Sequence, residues 1–214
     1  MFLRTPRGVR IPVDLGFPEK AGTHPAFLLA PGLAYHKDQP LIKLLCEKAV
    51  RRGFVAARFN WGFHGAGDVP SPDLHHEAED FRTVLDALEH DPRVAHRRIF
   101  LAGKSIGSIV AHRIARETPV HGTVLLTPVL PSLADFEHHY PGLREVEHPT
   151  VILAGDQDER APLPVLYAGL SGCEKVKLLV AKGDHALKVG NGVQNRQNLE
   201  AVCRMVLYWL RMLS

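Results

Sequence analysis

The stretch Arg98-Ile99-Phe100-Leu101-Ala102-Gly103-Lys104-Ser105-Ile106-Gly107 decides the fold of this chain. Its apolar first half predicts a strand at 98–102, and the residues that follow, 108–116, have the apolar spacing of a helix. A serine therefore occupies the sharp turn between a strand and a helix. Because such a turn strains the serine backbone, glycines at 103 and 107 are needed to let the helix pack against the strand. The hydroxyl of Ser105 is expected at the carboxyl edge of the sheet.

Strand and helix patterns alternate along the rest of the chain, which predicts an α/β fold with a mainly parallel central sheet and helices on both faces. Segment 8–15 is predicted as a leading edge strand or hairpin, and 60–68 as a glycine-rich loop. The other predicted strands are 26–30, 54–59, 123–127, 150–154 and 176–180, and the other helices are 41–52, 76–89 and 195–213. With no repeat and no linker, residues 1–214 are predicted to form one domain.

Composition excludes several classes of function. The chain is 45% hydrophobic and 23% charged with a net charge of +3, and its charges are interspersed, so we expect neither nucleic-acid nor membrane partners. The three cysteines are scattered, and the first residues lack the apolar core of a signal peptide, which together favour a reduced, cytoplasmic location. The thirteen histidines show no metal-ligand spacing, so no metal site is predicted. The oligomeric state is left open, with a homodimer among the alternatives.

The serine turn carries a resemblance to a known family. Gly103-Lys104-Ser105-Ile106-Gly107 matches the G-x-S-x-G nucleophile elbow in its required strand-to-helix context. The chain resembles a small, nearly lidless member of the α/β-hydrolase superfamily, close to the dienelactone-hydrolase-like branch, from about Val9 to the final helix. Dienelactone hydrolases themselves carry a cysteine nucleophile. Because this chain has Ser105 instead, their lactone substrate is not carried over.

The resemblance implies an acid and a histidine later in the chain, in the order serine, acid, histidine. The family's Gly-x-x-Asp-x-x-x-Pro stretch is matched by Gly155, Asp158 and Pro162, which puts the acid on Asp158, with Asp156 as the weaker alternative. Either aspartate, taken alone, also suits a cap for a helix that begins near Pro162. The histidine of the family follows the last strand, which points to His185; taken alone, it would be an ordinary loop residue.

The resemblance also implies an oxyanion hole, which needs two backbone N–H groups aimed at the developing negative charge. Ile106, directly after the nucleophile, is expected to supply one. The other is expected from the turn at 30–34, where Pro31-Gly32 replaces the family's usual His-Gly pair. Because the donor is a backbone group, this departure need not abolish function. Leu33 is the preferred donor and Ala34 the alternative.

Four further residues are predicted to contact substrate: Gly32, Lys104, His64 and Phe136. Lys104 either biases the pocket toward anionic substrates or sends its charge to solvent or a neighbouring carboxylate. Residues 128–149 occupy the place where hydrolases of this fold often insert a cap domain, but the segment is long enough only for a short helix or flap. Phe136, Tyr140 and Leu143 are expected to help wall the pocket.

These residues predict a serine hydrolase that cleaves a carboxylic ester or thioester through an acyl-enzyme on Ser105, without a cofactor. Its partner would be a small-molecule acyl substrate. Two alternatives remain: a non-catalytic binding module with the same fold, and an acyltransferase or peptidase on the same scaffold.

Overall fold

The computed structural model describes residues 1–64, 67 and 69–214. The glycine-rich loop predicted at 60–68 therefore lies partly outside the described residues. The strands are β1 (Phe2–Arg4), β2 (Arg10–Gly16), β3 (His24–Ala30), β4 (Val55–Phe59), β5 (Val94–Lys104), β6 (Gly122–Leu126), β7 (Thr150–Gly155) and β8 (Val176–Ala181). The helices are α1 (Pro40–Arg51), α2 (His75–Glu89), α3 (Ile106–Glu117), α4 (Ala134–His139), α5 (Leu163–Gly169) and α6 (Gly192–Leu213).

Across the described residues, these strands form an eight-stranded sheet in the order β1-β2-β4-β3-β5-β6-β7-β8. The first two strands pair antiparallel with each other, and β2 pairs antiparallel with β4. Every other pair is parallel. The predicted α/β fold with a mainly parallel central sheet is confirmed, and the leading segment is a hairpin.

Helices cover both faces of the sheet, because successive side chains of its central strands point to opposite sides. In β3, Leu28 and Ala30 pack into the cluster that contains residues of α2 and α3. Phe27 and Leu29, on the other face, join the cluster formed with α1 and α6. All of β3 from Ala26 to Ala30 is buried, which explains its continuously apolar sequence.

The sheet brings three loops to one edge. Parallel strands β5, β6, β7 and β8 lie side by side, with Gly103 paired to Leu125 and Gly155 paired to Ala181. The loops that follow β5, β7 and β8 therefore leave the sheet at the same carboxyl edge, where ligand sites of open α/β sheets are found.

The segment 128–149 forms no separate cap. It contains the short helix α4 and a 3₁₀ helix at Leu143–Glu145. Phe136, Tyr140 and Leu143 are buried in a cluster with residues of β6, β7 and α5. Among the residues that the structure describes, none of the helices combines the length and the apolar character that a bilayer crossing requires.

Candidate active site

Ser105 lies in a strained turn between β5 and α3. Its backbone has φ 53° and ψ −122°, a conformation that L-residues rarely adopt and that surrounding structure must enforce. A Cβ on Gly103 would lie 1.9 Å from the carbonyl oxygen of Gly107, and one on Gly107 would lie 2.5 Å from that of Pro31. Both glycines are therefore required by the close approach of backbone, as the sequence predicted.

Ser105, His185 and Asp158 form a continuous hydrogen-bonded arrangement at the carboxyl edge. The Nε2 atom of His185 is 3.0 Å from Oγ of Ser105, and its Nδ1 is 2.9 and 3.0 Å from the two carboxylate oxygens of Asp158. The side chain of Asp158 is fully buried, and its Oδ1 also accepts from the backbone N–H of Arg160 at 2.9 Å. In this geometry His185 can take the serine proton while Asp158 fixes the orientation of the imidazole.

Asp156 has a different environment. Its Oδ1 accepts a hydrogen bond from the amide of Gly183 at 2.8 Å, and its Oδ2 pairs with Lys182 at 2.9 Å. These bonds hold the pKa of Asp156 below its ordinary value and join the loops after β7 and β8. Among the described residues no side chain caps α5, so neither aspartate serves as the helix cap that the sequence allowed.

Backbone amides that are unpaired among the described residues lie in the two turns that meet at Ser105. Within the described part of the chain, the amides of Ile106, Leu33 and Ala34 have no hydrogen-bond acceptor. The turn that carries Leu33 lies against the elbow, since a Cβ on Gly32 would be 3.2 Å from Cβ of Ser105. The indole N–H of Trp61 donates to the carbonyl of Pro31 at 3.0 Å and fixes the start of this turn.

Lys104 is buried rather than exposed, with only 1% of its surface accessible. Its Nζ donates to Oγ1 of Thr127 and to the backbone carbonyl of His185, both at 2.9 Å, and lies 4.5 Å from the centre of the Tyr35 ring. Burial lowers the pKa of Lys104 to about 8, although Asp158 opposes this shift. The expectation that its charge reaches solvent or a carboxylate is corrected, because among the described residues the ammonium group bonds to Thr127 and to the His185 carbonyl. The bias toward anionic substrates stays a prediction.

A cavity of about 660 Å³ opens over Ser105 and His185. It is lined by Gly32, Leu33, Ala34, Tyr35, Lys104, Ser105, Gln157, Glu159, Arg160, Asp184, His185 and Ala186. The charged side chains of this lining carry both signs: Lys104 and Arg160, and Glu159 and Asp184. A larger depression of about 870 Å³ lies at the opposite, amino edge of the sheet beside β6 and β7, away from these residues.

Phe136 and His64, two predicted substrate contacts, are not among the described residues that line this cavity. Phe136 is 4% exposed, and its ring packs so closely on α5 that a Cβ on Gly169 would lie 2.2 Å from it. The expectation that Phe136, Tyr140 and Leu143 wall the pocket is therefore corrected, because all three are buried in the core cluster with β6, β7 and α5. The Nε2 atom of His64 lies 3.0 Å from the carbonyl of Tyr35.

Sequence reasoning missed Tyr35 and Thr127, which hold Lys104 from two sides. Tyr35 directly follows the turn at 30–34 that was predicted to supply an oxyanion donor, and this position was a usable signal. Thr127 has φ 40° directly after β6, at the same sheet edge as Ser105. Its contact with Lys104 depends on the pairing of β5 with β6, which the local sequence around Thr127 does not show.

Comparisons with known proteins agree with this architecture. The model of the alpha/beta hydrolase domain matches residues 23–211, whereas no curated protein matches the chain. An alpha-beta serine hydrolase homologue from Coxiella burnetii is similar with a TM-score of 0.77 and 20% identity, over 100% of this chain and 96% of that one. XC6422 from Xanthomonas campestris, a serine hydrolase without a lid, has a TM-score of 0.75 and 18% identity, over 99% and 93%. Est1E from Butyrivibrio proteoclasticus, with ferulic acid bound, has a TM-score of 0.75 and 18% identity, over 97% and 98%.

At identities of 18–20%, the solved structures show only that the fold is shared. The match to the family model shows that this chain is related to the family. The confirmed features are the mainly parallel sheet, the strand-to-helix serine turn and the absence of a separate cap between β6 and β7 among the described residues. The chain belongs to the alpha/beta hydrolase domain family.

Proposed function

We propose that this protein is a serine hydrolase that cleaves carboxylic esters or thioesters through an acyl-enzyme on Ser105. The observation that carries this proposal is the alignment of His185 between Ser105 and Asp158, with contacts of 3.0 Å and 2.9 Å on its two ring nitrogens. A hydroxyl paired with a neutral imidazole, itself held by a buried carboxylate, is the arrangement that activates a serine.

The reaction has two halves. Oγ of Ser105 attacks the acyl carbon while Nε2 of His185 takes its proton, and the carbonyl electron pair moves onto oxygen. Collapse of the tetrahedral intermediate breaks the bond to the alcohol or thiol, which receives the proton from His185. Water then repeats these steps on the acyl-enzyme and releases the acid. Asp158 orients the imidazole and stabilises its cationic form.

The amides of Ile106 and Leu33 are proposed to bind the oxyanion. Ile106 is the first residue of α3, where the helix dipole favours negative charge. The unpaired state of both amides supports this role, since a free donor beside a nucleophile loses no existing bond when the oxyanion forms. Ala34 remains the alternative to Leu33, because its amide is also unpaired.

The cavity supports a small-molecule acyl substrate. It is open at the sheet edge, with Leu33 42% exposed at its rim, and no described residue of 128–149 lines it. Est1E, which shares the fold, has been solved with the aromatic acid ferulic acid bound. That likeness favours carboxylic esters as the first substrates to test.

The proposal is tested by fluorophosphonate labelling with mass spectrometry, beside assays with p-nitrophenyl acetate and an acetyl thioester. A single adduct on Ser105 together with ester turnover, both lost in Ser105→Ala, is the expected result. No adduct on folded protein would overturn the proposal and favour a binding module. Added alcohols or amines that divert the acyl group from water would identify an acyltransferase instead.

A further inference from the structure

A chain of hydrogen bonds connects the segment 128–149 to the nucleophile elbow. Oγ of Ser108 donates to the backbone carbonyl of Ser105 at 2.6 Å, and the hydroxyl of Tyr140 is 2.7 Å from the same Oγ. The Tyr140 oxygen in turn accepts from the amide of Val129 at 3.3 Å. Ser108 and Tyr140 are both buried, with 0% and 1% exposure, so water does not replace these bonds.

The group at the end of this series of hydrogen bonds determines which hydroxyl donates and which accepts. A carbonyl oxygen only accepts, so the single hydroxyl proton of Ser108 is committed to Ser105. The hydroxyl of Tyr140 must therefore donate to Ser108, which leaves its oxygen lone pairs for Val129. Burial raises the pKa of Tyr140 above its ordinary value, so this hydroxyl keeps its proton across the working range of pH.

The carbonyl that receives these bonds belongs to the peptide that carries the Ile106 amide. A trans peptide is planar, with its C=O and N–H directed oppositely, so an anchor on the Ser105 oxygen fixes the direction of the Ile106 N–H. The Ser105 oxygen accepts from both the amide of Ser108, at 2.9 Å, and its hydroxyl. Hydrogen bonds to a carbonyl also polarise its peptide and make the N–H a stronger donor.

We propose that Ser108 and Tyr140 are positioning residues for the oxyanion hole, which orient and polarise the Ser105–Ile106 peptide from the side remote from substrate. This proposal rests on the proposed function, since it assigns the Ile106 amide to the oxyanion. It also gives the segment 128–149 a role, as a fixed support for the elbow in place of a lid.

The segment is held firmly enough for this task. The Nε2 of His112, on α3, donates to the carbonyl of Pro141 at 2.9 Å and so fixes the residue beside Tyr140. The guanidinium of Arg116 lies against Gly142, where a Cβ would be 3.0 Å from its Cζ. Two side chains of α3 thus clamp the backbone directly after Tyr140, on the same helix that begins at Ile106.

The test compares Ser108→Ala and Tyr140→Phe with Ser132→Ala as a matched control. Ser132 lies in the same segment and its hydroxyl bonds only to Asp135 among the described residues, so its removal should leave turnover unchanged. Loss of a full oxyanion donor costs roughly 10²- to 10³-fold, so weakening one by Ser108→Ala should lower kcat about tenfold at constant KM. Tyr140→Phe should act less, and the double variant should match Ser108→Ala, because Tyr140 acts through Ser108.

Two readouts separate positioning from stability. The first is the ratio of kcat for an ester to kcat for its thionoester, whose sulfur accepts hydrogen bonds poorly; Ser108→Ala should lower this ratio and Ser132→Ala should not. The second is the ¹⁵N shift of the Ile106 amide, which should move in Ser108→Ala and Tyr140→Phe. An unchanged ratio in an active variant, or an unmoved Ile106 resonance in folded protein, would overturn the inference.

These readouts also distinguish the two proposals. If the wild-type protein shows neither ester turnover nor labelling of Ser105, the proposed function fails, whereas the Ile106 resonance still decides whether Ser108 and Tyr140 hold this peptide. If turnover depends on Ser105 and the resonance is unmoved, only the present inference fails.

Discussion

The ammonium group of Lys104 donates a hydrogen bond to the backbone carbonyl of His185 at 2.9 Å, across a sequence separation of 81 residues. The residue before Ser105 thereby holds His185, the proposed general base. The same Nζ bonds to Thr127 and faces the Tyr35 ring, so Lys104 contacts residues of the loops that follow β3, β6 and β8.

Replacing Lys104 by Met should lower turnover without unfolding the protein. The His185 carbonyl loses its donor, and a displacement of about 1 Å in a catalytic group can cost on the order of 10²-fold in rate. Steady-state kinetics should show the loss mainly in kcat. Lys188→Met, at an exposed position in the same loop, is the control. Equal activity of the two variants would contradict a positioning role for Lys104.

Because Lys104 is buried, the free energy of unfolding should increase as the pH rises above about 8. Its pKa falls from 10.5 in the unfolded chain to about 8 in the folded protein, a difference worth about 3 kcal/mol. Below pH 8 both states are protonated. Between pH 8 and 10.5 the unfolded state binds more protons, so the stability of the wild-type protein should rise relative to Lys104→Met. Urea unfolding of both proteins from pH 7 to 10.5 measures this; a difference that stays flat would exclude a buried ammonium.

Replacement of Asp158 by asparagine should mainly lower activity, whereas replacement of Asp156, two residues away, should mainly lower stability. Asp158→Asn removes the charge that stabilises the imidazolium and should lower kcat about 10³- to 10⁴-fold. Asp156→Asn breaks the ion pair with Lys182 and weakens the bond to Gly183, with an expected cost of about 1 kcal/mol in stability and little loss of activity. Ester hydrolysis and urea unfolding of the two variants separate these effects. A larger kinetic loss in Asp156→Asn would transfer the role of the acid to Asp156.

His112 predicts an acid-sensitive contribution to stability. Burial lowers its pKa from 6.5 to about 4, so the unfolded state binds more protons between these values and stability falls as pH drops through that window. The full contribution is about 3 kcal/mol. His112→Gln can still donate to Pro141 but does not titrate. The unfolding free energy of wild type relative to this variant should therefore fall from pH 6.5 to 4, and parallel curves would refute the assignment.

Strands and helices whose hydrophobic pattern is set by burial could be predicted from the sequence. Side-chain contacts between residues far apart in the sequence could not. Residues 26–30 and 150–154 were recognised as strands because both faces are buried. Helix α5, only seven residues long, carries too short a pattern to give its extent, and the sequence allowed only that a helix begins near Pro162. Ser105 followed from the glycine spacing of its turn, whereas Asp158 and His185 were implied by the resemblance to the α/β-hydrolases. The direction of the Phe136 side chain, by contrast, depends on the packing of α4 against Gly169, which no local pattern encodes.

Substitution of Gly103, in the turn around Ser105, tests the close packing of α3 on β5. A methyl group on Gly103 would meet the backbone of Gly107 at 1.9 Å and the amide of Ser108 at 2.5 Å, and neither is the end of a flexible side chain. Gly103→Ala should therefore separate α3 from β5, at a cost of more than about 4 kcal/mol, and should abolish labelling of Ser105. Gly192→Ala is the matched control, because its Cβ would meet nothing within 4 Å at the start of α6. It should change stability by less than about 1 kcal/mol. Thermal unfolding followed by circular dichroism distinguishes the two variants. If Gly103→Ala were as stable and as reactive as Gly192→Ala, α3 would not pack closely on β5, and the proposed site depends on that packing.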